Sequence, residues 1–121
     1  MRVKHITINK KEYPICFSTR VLIALEERAG NADIELNRIF SERKMTDVFW
    51  LLAQMLDAGY RYADIDGQVT PDPLTYDQLL DLIGVDEYST MFSSLSSAIR
   101  DDSAPTVEAA PAKNAEATPD T

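Results

Sequence analysis

A mainly α domain with an N-terminal β-hairpin packed on a small bundle of about five helices is predicted by three observations. Residues 3–17 alternate with a period of two, whereas the later segments repeat their apolar residues at i, i+3, i+4 and i+7. Residues that cap or break helices fall between those segments. Beyond Arg100 the composition turns to proline, alanine, threonine and acids.

The first strand carries Ile6 and Ile8 on one face, and Ile15 and Phe17 follow a charged turn through Asn9, Lys10 and Lys11. Pro14 removes a ladder donor, so the second strand reads as an edge or an irregular one. A lone hairpin is marginally stable and must pack on the helices after it.

Ser18 is the predicted N-cap of a first helix through Val21, Leu22, Leu25 and Ala29, with Gly30 supplying a left-handed stop and Glu26 and Glu27 facing outward. Asp33 is the predicted cap of a second, short helix through Ile34, Leu36, Ile39 and Phe40, broken off by the charged group at 41–44. Thr46 opens the most apolar segment, TDVFWLLAQMLDAGYRYA. Its residues Val48, Phe49, Trp50, Leu51, Leu52, Ala53, Met55 and Leu56 cover more than one helical face, as in a helix buried centrally or shared with a partner. Asp66, Gly67 and the Pro71–Pro73 group make a turn-rich connection, and Thr75 with Gln78 has capping-box spacing for a helix reaching about Ile83. Gly84 ends it and Asp86 caps a last helix with the stripe Tyr88, Met91, Phe92, Leu95, Ala98 and Ile99.

Domain boundaries follow from composition. Residues 1–100 form the helical domain with its hairpin, and residues 101–121 an acidic Pro/Ala/Thr tail whose apolar content cannot offset ordering entropy, so disorder is expected there.

The 121-residue chain is 45% hydrophobic, enough for one core, and 20 acids against 12 bases give a net charge of -8. That charge repels phosphate backbones and argues against nucleic-acid binding. Acidity is spread along the chain, the tail holding five of the acids and one lysine. The N-terminus has no apolar run of signal-peptide length, and no stretch approaches the roughly 18–20 apolar residues that span a bilayer. A soluble protein with no membrane partner is expected.

Catalytic residues, cofactor-binding residues and metal ligands are each expected to be none. His5 lies near no nucleophile or carboxylate pair at a catalytic spacing, and the lone Cys16, in an apolar run, reads as a buried reduced thiol. Asp64, Asp66 and Asp72 near Gly67 lack the alternate ligands and twelfth-position glutamate of a calcium loop. Tyr60 and Tyr62 sit amid too much negative charge to stack bases. What remains is protein binding and not enzymatic chemistry. Phe49, Trp50, Met91, Phe92 and Leu95 are the candidate protein-binding residues, weighed against a core role for the same side chains. Core packing is the default for Trp50.

At FSTRVLIALEERAG (17–30), KMTDVFWLLAQMLDAGYRYA (44–63) and PLTYDQLLDLI (73–83), the chain resembles the tail assembly chaperones of long-tailed, siphovirus-type phages and prophages. The resemblance extends over residues 6–99. It implies a non-enzymatic protein of the bacterial host cytoplasm that binds the tape-measure protein, keeps it soluble and assists tail-tube polymerisation, and is absent from the virion. The implied partners are the tape-measure protein, the tail-tube protein and a frameshifted longer form of the chain itself, with homo-oligomers also admitted. The competing expectation is a structural neck or tail-completion protein retained in the particle.

Overall fold

The computed structural model describes residues 3–103, with side chains through Arg100. The fold is mainly α with an N-terminal antiparallel hairpin. Strands β1 (Lys4–Ile8) and β2 (Lys11–Ile15) precede helices α1 (Thr19–Ala29), α2 (Ala32–Glu42), α3 (Met45–Ile65), α4 (Tyr76–Leu82) and α5 (Tyr88–Ser103), with a single 3-10 turn at Val85–Glu87 before α5. Helix α5 thus runs into the first residues of the expected tail, and the rest of that tail, 104–121, lies outside the described residues. No helix among the described residues is long and apolar enough to cross a membrane.

The hairpin closes through Asn9 and Lys10, both with positive φ (53° and 67°), the backbone signature of a two-residue turn that matches strand twist. Its register pairs Ile6 with Tyr13 and Lys4 with Ile15. Ile6, Ile8, Tyr13 and Ile15 are buried. Tyr13 joins Ile15 on the inward face, and Phe17, two residues beyond the end of the strand, is partly buried against the same core. Pro14 is inside β2, opposite His5, and β2 packs directly on α3.

That packing depends on Gly59. A Cβ built on Gly59 would collide with the Pro14 carbonyl and come within 2.7 Å of the Ile15 nitrogen, so the backbones of strand and helix touch. Only glycine leaves room for this approach. Just past the strand the Cys16 N–H, which has left the ladder, donates to the Met55 carbonyl four residues before Gly59 at 3.3 Å. Cys16 itself is fully buried and forms no disulfide.

Helix ends follow local chemistry with several shifts from expectation. Ser18 holds the N-cap position of α1, but its hydroxyl makes no capping hydrogen bond. Gly30 stops α1 in the left-handed region (φ 86°), its N–H donating to the Glu26 carbonyl. Asn31, one residue past that stop, caps α2 by accepting from the Ile34 N–H at 3.0 Å. Asp33 falls in the first turn instead, where its charge favours the helix dipole. Helix α2 ends with Arg43 left-handed, and α3 starts at Met45, one residue before Thr46. The Thr75–Gln78 capping box forms in full. Gly84 has φ -75° and starts the 3-10 turn, where its N–H donates to Glu87 Oε1 at 2.9 Å, so Asp86 lies within that turn and does not cap α5.

Helix α3 is the centre of the fold, burying Val48, Phe49, Leu51, Leu52, Met55 and Leu56 among β2, α1, α2 and α4. Each such apolar side chain withdrawn from water contributes about 1.5–3 kcal/mol. Helix α5 supplies Met91, Phe92, Leu95, Ala98 and Ile99 to the same core, and Tyr88 packs at its edge. On α2 the inner face differs from the expected stripe. Ile34 is 66% exposed while Glu35 is 3% exposed, because a charged cluster between helices occupies that face. Leu22 of α1 is likewise turned to the surface boundary.

Candidate protein-binding surface

Four of the five candidate contact residues belong to the core. Phe49, Met91, Phe92 and Leu95 are all buried, and Trp50 is half-buried. Phe40 meets Phe92 edge-on with centroids 5.5 Å apart, Phe92 stacks on Tyr88 at 6.2 Å, and Tyr88 meets Phe49 edge-on at 5.9 Å. This aromatic series ties α5 to α2 and α3, and such pairs add about 0.5–1.5 kcal/mol each beyond area burial. The Tyr88 hydroxyl donates to the Arg43 carbonyl at 3.4 Å, and burial raises the Tyr88 pKa above its ordinary value.

The surface that another protein can touch lies just outside these residues. Between α2 and α5 runs a groove of about 500 Å³ walled by Leu36, Phe40, Phe92 and Ile99. A second apolar groove, of about 280 Å³, lies where α3 meets α4 and α5, with Met45, Leu80 and Val85 on its rim. Val85 is 85% exposed. Apolar side chains grouped at a surface in this way are the usual substrate for protein contact.

The charged cluster joins α1, α2 and α3. Arg38 makes a fork to Glu35, with Nε to Oε1 and Nη2 to Oε2 both at 2.8 Å, and its Nη1 reaches Asp47 Oδ2 at 3.1 Å and Glu42 Oε1 at 2.8 Å. Arg28 comes from α1 to Asp47 Oδ1 at 2.5 Å and to Glu35 Oε2 at 3.5 Å. Hydrogen bonding from Arg38 holds the Glu35 carboxyl below its ordinary range, with the charges of Arg38 and Arg28 adding to the effect against burial. At Asp47 burial is the largest single influence and pushes the carboxyl up. The Arg38 hydrogen bond and the charges of both arginines together outweigh it, so the net shift is down. The Arg38 guanidinium is raised by the same partners, Glu35 first. Glu35, Asp47 and Arg38 are therefore ionised at neutral pH, and the cluster acts as an electrostatic clasp.

Trp50 completes the clasp and is not the fully buried core residue the sequence suggests. The Arg28 guanidinium lies 4.3 Å from the centre of its ring, so the indole buries one face under a cation. Trp50→Ala is expected to lower stability by about 2 kcal/mol, below the roughly 3–5 kcal/mol of a fully buried aromatic. Urea denaturation reads this directly, and an unchanged midpoint would remove Trp50 from the clasp.

Sequence reasoning did not find Glu35, Asp47, Arg28 or Arg38. The Glu35–Arg38 spacing of three and the first-turn position of Asp47 are visible in the chain, but their convergence depends on how three helices pack. His5 and Tyr62 are exposed. No protein-family model, no curated protein and no solved structure matches the chain.

Proposed function

We propose that the protein is a phage tail assembly chaperone that binds the tape-measure protein, keeps it soluble and assists tail-tube polymerisation. The observation that carries this reading is the order of elements. A short hairpin followed by helices is what the resemblance at 17–30, 44–63 and 73–83 implies, and the chain has that order. Two apolar grooves give such a protein places to cover apolar stripes of a helical client. Its net charge of -8 keeps a complex dispersed. Mass analysis of purified virions separates this from the structural reading. The chaperone is expected to be missing from particles that contain tape-measure and tube proteins, whereas a fixed copy number per particle would assign the chain to the neck or tail completion.

A further inference from the structure

The six described arginines divide by their partners. Arg28, Arg38 and Arg61 are each held by carboxylates, Arg61 by Asp57 at 2.8 Å. Arg20, Arg43 and Arg100 make no ion pair with a residue from 3 to 100, and two of these three, Arg43 and Arg100, line the groove between α2 and α5. The Arg43 guanidinium lies 4.4 Å from the centre of the Phe92 ring, which holds the charge at the apolar wall. Both arginines also line the adjoining polar recess along the outer face of α5, beside Ser89, Ser93 and Ser96. In a chain of net charge -8, the charged side chains that line this groove are both cations, neither of them paired with a carboxylate among residues 3–100.

We infer that the α2/α5 groove, walled by Leu36, Phe40, Phe92 and Ile99 and bordered by Arg43 and Arg100, docks an amphipathic helix of a partner protein whose apolar stripe is flanked by Asp or Glu. The walls take the stripe by burial of apolar surface, and the arginines select the flanks. A guanidinium presents a planar fork of donors that pairs with carboxylate, and at a groove edge that pairing fixes orientation and rejects cationic helices. The inference deepens the chaperone reading by stating what kind of client segment is held, and rests on that reading only for the client's identity.

The test uses the full chain and two synthetic amphipathic helical peptides that share one Leu/Phe stripe, one flanked by Glu and the other by Lys, with binding read by fluorescence anisotropy. The Glu-flanked peptide is expected to bind at least about tenfold more tightly, with the difference shrinking as salt rises. Arg43→Glu/Arg100→Glu should abolish or reverse that preference while leaving the circular dichroism spectrum unchanged. If the double variant fails to fold, Arg100→Glu alone, at an exposed position, should reduce the preference. Equal binding of both peptides, binding of neither, or a preference unmoved by the folded variants would overturn the inference. Glu-peptide binding seen only after removal of residues 104–121 would also overturn it, by assigning the groove to the chain's own acidic tail. Peptide selectivity without any effect on tape-measure solubility would leave the groove intact and remove the chaperone reading alone.

Discussion

Gly59→Ala is expected to destabilise the domain by about 2–3 kcal/mol, although alanine is the better helix former. The intrinsic gain from replacing a helical glycine is about 0.5–1 kcal/mol. Against it stands a new methyl group directed at the Pro14 carbonyl and the Ile15 nitrogen of β2. Overpacking typically costs about 1–3 kcal/mol and more when nothing can rotate aside, and here both sides of the contact are backbone. Moving β2 away also breaks the hydrogen bond from Cys16 N–H to Met55 O and leaves a buried donor unpaired. Gly59→Val should fail to give folded protein. A urea midpoint for Gly59→Ala equal to or above that of the parent would mean that strand and helix are farther apart than described.

Asp47→Ala is expected to cost about 2–3 kcal/mol. Removing one member of a buried ion pair commonly costs about 3–5 kcal/mol. The lower range applies because Arg28 and Arg38, with side chains 30% and 34% exposed, recover some water when their shared carboxylate is lost. The same carboxylates set the acid limb of stability. Folding lowers the pKa of both Glu35 and Asp47, so the unfolded chain binds more protons in the acid range and stability rises with pH there. Their contribution is complete above the unfolded carboxylate values of about 4 and is lost as pH falls through the folded values. Glu35→Gln and Asp47→Asn should each flatten the decline of the urea midpoint below about pH 5 while lowering it at pH 7. An acid limb identical to that of the parent chain would exclude the clasp as its source.

Local signals in the sequence were reliable where one element decides the outcome. Gly30 stops α1, Thr75 and Gln78 form their box, and the stripe from Met91 to Ile99 is buried as its spacing requires. The errors fall where neighbours compete for the same role. Asn31 and Asp33 both suit a cap, and the residue next to the Gly30 stop takes it. Ile34 yields the inner face of α2 to Glu35 because Arg28 and Arg38 supply opposite charge from two helices, a pairing that no single-helix period contains. Gly59 is silent for a similar reason, since its neighbour Pro14 lies 45 positions away. Phe49, Met91, Phe92 and Leu95 form the inner wall, whereas the accessible surface around them is carried by Leu36, Phe40, Met45 and Val85.

The most direct test of the central claim is the soluble fraction of the cognate tape-measure protein when co-expressed with this chain. The chaperone reading predicts a several-fold rise over expression of the tape-measure protein alone, together with its retention on the immobilised chain at physiological salt. An unchanged soluble fraction with no tail protein retained, alongside recovery of this chain from finished particles, would contradict it.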